Sequence, residues 1–169
     1  MKIRQEQAKD YDEIRELVKN AFATAEHTDG NEFLLVDKLR KSDGFISELA
    51  LVAEAENQLI GHILFTKIKV GEAEGIALAP LSVLPSFQKK GVGTALMNHA
   101  HTIAKNMGYE FSVVLGSETY YPKVGYQVAS KFGIKPPFDV PNENYMVLFF
   151  NGTPRRIDGT VAYVKEMQS

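Results

Sequence analysis

Leu81-Ser82-Val83-Leu84-Pro85-Ser86-Phe87-Gln88-Lys89-Lys90-Gly91-Val92-Gly93-Thr94-Ala95-Leu96 is the stretch on which the fold turns. It reads as a strand end, a tight turn and a helix start. Ile76 to Leu84 is a nearly continuous apolar run, the pattern of a strand buried on both faces, and Pro85-Ser86-Phe87 ends it. Val92, Ala95, Leu96, His99, Ile103 and Met107 recur at helical spacing and share an apolar face, with Gly108 as the stop. Phe111 to Leu115 is then a short buried strand, so 76–115 forms a strand-helix-strand crossover.

Working outward, Met1 to Gln7 alternates like a strand. Asp10 and Glu13 have capping-box spacing ahead of a helix with Tyr11, Ile14, Leu17, Val18, Ala21 and Phe22 at period 3.6. Ala25 to Gly30 is turn-like, and Phe33, Leu34, Val36 and Leu39 suggest a second helix that ends before Asp43-Gly44. Leu49 to Ala55 and Leu59 to Val70 read as strands around an Asn57-Gln58 turn, with another turn over Gly71 to Gly75. Downstream, Ser117 to Lys123 suggests helical turns, Gly125 to Val128 a strand, Phe132 to Asn142 a loop, Tyr145 to Phe150 a strong strand and Thr160 to Val164 a further one. The order β-α-α-β-β-β-α-β-α-β-β predicts an α/β (α+β) fold in one domain over 1–169, since no repeat or linker divides the chain.

The 169 residues are 44% apolar and 24% charged, ordinary for a globular chain, and the net charge of -2 implies no general attraction to nucleic acid or anionic membrane. The absence of cysteine rules out disulfides, thiolate metal sites and an acyl-cysteine intermediate. Met1-Lys2-Ile3-Arg4-Gln5-Glu6 has no apolar leader pattern, and no run approaches the ~20 apolar residues of a membrane span. A cytoplasmic protein is expected.

The chemistry concentrates at the helix start. The first N–H groups of a helix lack internal partners and lie at its positive end, so they form an anion site. Gly91 and Gly93 allow close approach to the backbone, and Lys89 and Lys90 add positive charge. A phosphate-bearing ligand fits. The P-loop string G-x-x-x-x-G-K-[ST] is absent, and Leu96 stands where a dinucleotide motif needs its third glycine. Taken alone, Gly91-Val92-Gly93 is equally a plain helix-start turn.

Gln88-x-x-Gly91-x-Gly93, preceded by Leu81-x-Val83-x-Pro85, resembles the acetyl-CoA signature of the GCN5-related N-acetyltransferases. Tyr120-Tyr121-Pro122-Lys123-Val124-Gly125-Tyr126 is similar to that family's Y-Y-x-x-x-G-F/Y block, at the right separation. Gly61-His62-Ile63-Leu64-Phe65 and Val114-Leu115-Gly116 further resemble a bacterial YhbS-like subgroup. The resemblance implies a mixed, mostly antiparallel sheet whose fourth and fifth strands splay apart. It also implies acetyl-CoA as co-substrate, with pantetheine on the backbone of Leu81 and Val83. The pyrophosphate would then lie among Gln88, Lys89, Lys90, Gly91, Val92, Gly93 and Thr94. Transfer would be direct, to the amine of a small molecule, peptide or protein. Members often pair, so a homodimer is compatible.

An attacking amine must lose a proton, since an alkylammonium has a pKa of about 10.4. The oxyanion wants a donor, for which an N–H near Val83 is suited. The departing thiolate gains from an acid, and Tyr121 matches the family's tyrosine in that role, whereas Tyr120 reads as packing. The base is left among Glu26, His27, Asp29 and Glu32, with Glu32 carried forward, or a water relay. Ser117 departs from the asparagine or aspartate often found near that position in relatives. His62, His99 and His101 read as structural, and no His/Asp/Glu spacing makes a metal site. Two rivals stand beside the enzyme: an acyl-CoA-binding sensor with the same cradle, and an interaction domain whose glycine turn binds nothing.

Overall fold

The computed structural model describes residues 1–23 and 31–167. Strands β1 (Lys2–Gln5), β2 (Leu51–Ala55), β3 (Gln58–Val70), β4 (Ala73–Val83), β5 (Phe111–Leu115), β6 (Gln127–Val128), β7 (Ile134–Lys135), β8 (Tyr145–Phe149) and β9 (Gly159–Thr160) alternate with helices α1 (Tyr11–Phe22), α2 (Glu32–Arg40) and α3 (Val92–Asn106). The main sheet runs β1-β2-β3-β4-β5-β8-β6, with β7 and β9 paired separately. Within it every pairing is antiparallel except β4 with β5, which α3 joins by a crossover. The fold class and the crossover expected from 76–115 are therefore present.

Each helix forms for a readable reason. In α1 the buried Ile14, Leu17, Val18 and Ala21 fall at helical spacing on one stripe. In α3 the stripe is Val92, Leu96, Met97, Ala100 and Ala104. That helix starts on Gly91, whose φ of 86° suits glycine, and Gly108 at φ 94° closes it. The α3 face of the sheet and the α1/α2 face carry separate apolar clusters. The C-terminal segments cover a third around Phe111, Val113 and Val147. Among the described residues no helix is long and apolar enough to cross a membrane.

The turn between β2 and β3 falls on Glu56 and Asn57, at φ 53° and 61°, rather than on Asn57-Gln58; two consecutive positive φ values match the sheet's right-handed twist. Asp10 and Glu13 do not form a capping box. Two Arg4 nitrogens hold the Asp10 carboxylate at 2.8 and 2.9 Å while it accepts the Gln7 N–H at 2.8 Å. Glu13 accepts the Leu59 N–H at 2.7 Å. The stretch 132–142, expected as loop, contributes β7, which pairs with β9 in parallel.

One irregularity positions everything that follows. In β3–β4, Ile63 pairs with Leu81 and Phe65 with Leu78, so Ala79 and Pro80 together face Leu64. This is a bulge, and Pro80, which has no N–H to donate, suits it. A bulge bends its strand. The parallel pairing of β4 with β5 covers only Gly75–Ala77 against Phe111–Val113. Beyond it, Leu78–Val83 has no strand partner on that side, and the sheet opens.

Candidate functional site

The opening has donors on its walls because ladder geometry puts them there. The Leu84 N–H donates to the Ile60 carbonyl at 2.9 Å. Antiparallel pairs alternate between bonded and non-bonded, so Gly61/Val83 and Ile63/Leu81 are non-bonded pairs. The N–H and C=O groups of Leu81 and Val83 therefore turn away from β3, toward the gap left by β5. The Val83 carbonyl is partly used: the Gln88 side-chain amide donates to it at 3.0 Å, tying the helix entry to the strand end.

The head of α3 supplies the second wall. Its first bond runs from the Ala95 N–H to the Gly91 carbonyl at 3.0 Å, so the N–H groups of Val92, Gly93 and Thr94 have no partner within the helix. Among the described residues, those of Lys89, Lys90 and Gly91 make no hydrogen bond within the chain either. Lys89 takes φ 62°, and a Cβ built on Gly91 meets nothing within 4 Å. Six consecutive backbone donors, from Lys89 to Thr94, are thus left without a partner among the described residues, at the positive end of a helix dipole.

A cleft of about 520 Å³ joins the two walls. Of the expected cofactor residues, Leu81, Val83, Gln88, Lys89, Gly91, Val92, Gly93 and Thr94 line it. Lys90 does not; its ammonium sits 5.6 Å from the centre of the Phe87 ring. Tyr121 lines the cleft, as do Phe87, Tyr120 and Lys123, which the motif reading did not assign there. Glu32 is half-buried at the start of α2 and is not on the cleft wall. Glu26, His27 and Asp29 lie outside the described residues.

The two sequence blocks meet physically. A Cβ on Gly93 would come 2.5 Å from the Tyr120 hydroxyl and 3.3 Å from Leu81. Gly93 therefore clears room for Tyr120 rather than for solvent. A Cβ on Gly116 would come 2.4 Å from the Tyr121 ring. That ring stands edge-on to Tyr120 at 5.0 Å and to Tyr126 at 5.8 Å. Burial, with Tyr120 close by, raises the Tyr121 hydroxyl well above the usual phenol range, so it remains a donor at any working pH.

Behind the tyrosines, the Tyr126 hydroxyl bonds Ser112 Oγ at 2.8 Å and His101 Nε2 at 3.0 Å. Burial lowers the His101 pKa to about 4. His99, expected on the apolar face of α3, is exposed instead, and His101 is the histidine that packs, near Phe65, Tyr126 and Phe150.

A second cavity of about 450 Å³ lies at the far end of α3, bordered by Lys67, Lys69, Glu74, Tyr109 and Tyr163. There the helix presents carbonyls, so the donor array is missing. Among the described residues no group of three His, Cys, Asp or Glu side chains could hold a metal ion.

Comparison with known proteins gives a family and a shared fold. The model of the acetyltransferase (GNAT) family matches residues 11–126. The uncharacterised N-acetyltransferase YjhQ of Escherichia coli (strain K12) is 32% identical over 160 residues, 90% of this chain and 86% of that protein. A GNAT family acetyltransferase from Brucella melitensis, solved in complex with acetyl-CoA, is 29% identical with a TM-score of 0.80, covering 98% of this chain and 97% of that one. The N-acetyltransferase YhbS from Escherichia coli, solved in complex with CoA, shares the fold at a TM-score of 0.84 and 24% identity, covering 99% and 92%.

Proposed function

Because the chain belongs to the acetyltransferase (GNAT) family, we propose that it carries an acetyl group from acetyl-CoA directly to an amine, both substrates being bound together in one N-acetyltransferase domain spanning 1–169. The observation that carries this reading is that Lys89 and Gly91 to Thr94, whose N–H groups have no partner among the described residues, line the same cleft as the free edge of β4 and Tyr121. The pyrophosphate takes the N–H groups at the head of α3, with Lys89 and Lys123 beside it. Pantetheine, itself amide-bearing, extends β4 by pairing with Leu81 and Val83. The thioester then lies near Val83, whose N–H faces the opening and serves the developing oxyanion.

Tyr121 acts on the sulfur. A phenol above pKa 10 does not transfer its proton outright to a thiolate whose thiol pKa is about 8.5. It donates a hydrogen bond that strengthens as negative charge gathers on sulfur during C–S cleavage. Such a bond to a charged group contributes about 1.5–3 kcal/mol. Tyr121→Phe is therefore expected to lower kcat about 10- to 100-fold with CoA affinity nearly unchanged.

Thermal unfolding with acetyl-CoA tests the cofactor. At 100 times Kd the expected gain is about 2.7 kcal/mol, or roughly 5–10 °C for a chain this size. No shift at millimolar acetyl-CoA would remove the reading. Release of CoA thiol against a panel of amino acids, polyamines, aminoglycosides and peptides then identifies the acceptor.

A further inference from the structure

Tyr121 sits on a segment with few ties to the rest of the fold. Among the described residues, the backbone hydrogen bonds of 117–125 stay within that stretch or end on Tyr126, whose N–H donates to the Tyr121 carbonyl at 3.3 Å. Side-chain hydrogen bonds from the segment to other elements come at its two ends. Near the start, the Asn144 side-chain amide donates to Glu118 at 2.7 Å, in an exposed position. At the end, the Tyr126 hydroxyl joins Ser112 Oγ at 2.8 Å and His101 Nε2 at 3.0 Å. This second tie lies in the core, since Tyr126 and Ser112 are both buried.

The two partners of Tyr126 come from the two elements that frame the cleft. His101 belongs to α3, the helix whose head carries the unpartnered donors, and Ser112 belongs to β5, the strand from which β4 splays. Tyr126 is therefore pinned where helix and strand meet. Phenylalanine would fill the same space with no polar atom to satisfy. A buried hydroxyl is costly unless bonded, and one bonded on both sides fixes a single ring position where apolar packing alone tolerates several. Burial raises the Tyr126 hydroxyl above the usual phenol range and lowers His101 to about 4, so both are neutral and the chain is intact at neutral pH. The Tyr121 ring rests on this pin. It stands edge-on to Tyr126 at 5.8 Å, and Gly116, which follows β5, lies against the same ring.

We infer that Ser112, Tyr126 and His101 are positioning residues for Tyr121: their hydrogen bonds hold the ring on which Tyr121 is aligned toward the departing sulfur. The inference rests on the acetyl-transfer reading above. None of the three lines the cleft, so none touches a substrate, and whatever they do to the reaction passes through Tyr121. The chain ties the tyrosine block to α3 and β5 together. A cofactor held at the α3 head and a tyrosine indexed to the same helix keep a fixed separation, which a segment bonded only to itself would not guarantee. The exposed Glu118–Asn144 bond at the other end cannot replace the pin, because water competes for both of its partners.

Tyr126→Phe keeps the ring and removes the pin, and Ser112→Ala removes one bond with every ring intact, so the second variant serves where the first fails to fold. Both are assayed with acetyl-CoA and whichever panel amine wild type acetylates fastest. A 1 Å error in a catalytic group costs about 100-fold, and slack of part of that distance is expected to lower kcat about 10-fold. The KM for acetyl-CoA and the acetyl-CoA thermal shift stay near wild type. In a Tyr121→Phe background the same changes should cost less than about 2-fold, because the group they position is gone. A purely structural chain predicts a lower Tm with kcat unchanged, or the same 10-fold loss in the Tyr121→Phe background; either result overturns the inference and leaves the acetyl-transfer reading standing. No wild-type turnover of any amine removes that reading and the positioning role with it. Carbon-13 NMR of labelled tyrosine rings needs no acceptor. The Tyr121 signal, identified by its loss in Tyr121→Phe, should move in Ser112→Ala while those of Tyr145 and Tyr163, in the other cluster, stay; an unmoved Tyr121 signal overturns the positioning.

Discussion

Gly116→Ala adds one methyl group to a residue that touches no cofactor in the reading above, yet it should slow the chemical step. The new Cβ would sit 2.4 Å from the Tyr121 ring, where ordinary contact begins at 3.4 Å, so the ring must retreat by about 1 Å (3.4 − 2.4). It cannot swing aside freely, because Tyr120 and Tyr126 hold it edge-on at 5.0 and 5.8 Å. The Gly116 backbone is outside the left-handed region, so alanine adds crowding without backbone strain. Overpacking of this kind costs about 1–3 kcal/mol, or roughly 2–12 °C in Tm for a chain this size. A 1 Å error in a catalytic group costs about 100-fold in rate, equivalent to ~2.7 kcal/mol of barrier. Thiol-release kinetics should therefore show kcat down about 100-fold, with the acetyl-CoA thermal shift retained. In a Tyr121→Phe background the same substitution should cost little more, since its effect passes through a hydroxyl already gone. Wild-type kcat in Gly116→Ala, or full additivity with Tyr121→Phe, would refute the placement of Tyr121.

Gly91→Ala should lose about 1–2 kcal/mol from the φ of 86° alone and still bind acetyl-CoA, because its Cβ enters open space. Gly91→Glu should melt with Gly91→Ala but lose the acetyl-CoA shift, as a carboxylate then occupies the anion site; retained binding would place the cradle elsewhere. For His101, the folded pKa of about 4 lies below the unfolded value of 6.5, so the unfolded chain binds more protons between them. Stability should fall as pH drops from 6.5 toward 4, by up to roughly 3 kcal/mol. Denaturant midpoints across that range should flatten in His101→Gln, and an unchanged slope would contradict the assignment. Asp10, held below its usual value of 3.8 chiefly by the Arg4 bond, adds stability above that pH that is lost as pH falls further; Arg4→Met should shrink this acid-side loss in denaturant titrations.

The elements that could be read from the residues are those with enough length to show a period. The α1 and α3 stripes and the long β3 run meet this condition, whereas the two-residue strands β7 and β9 contain no period at all. Long-range partners defeated two local readings. Asp10 has capping-box spacing with Glu13, but Arg4 of β1 and the Leu59 N–H of β3 claim the two carboxylates from afar. The histidines of α3 fail differently. At about 100° per residue, His99 and His101 lie on opposite flanks of the buried stripe, each about 100° from its centre. Periodicity cannot choose between them; the choice is made by Tyr126 and Phe150, which cover only the His101 flank.

The candidate site was legible where backbone geometry alone defines it and obscure where side chains meet across the fold. Gly91 could be read because a helix start at φ 86° asks for glycine whatever surrounds it. Gly93 looked equivalent on paper and is not, since its missing Cβ makes room for Tyr120, a residue of the second sequence block. Gly116 does the same for Tyr121. The two motifs are therefore one structural unit: the glycines of the first strand-helix turn and of the β5 end are the sockets into which the tyrosine pair fits. This explains why the blocks mean little apart. A helix-start glycine pair without Tyr120 leaves a gap over Gly93, and a tyrosine pair without Gly93 and Gly116 collides with backbone. The bulge at Ala79–Pro80 completes the arrangement by bending β4 away from β5, so that the socketed tyrosines border a cleft and not a closed sheet.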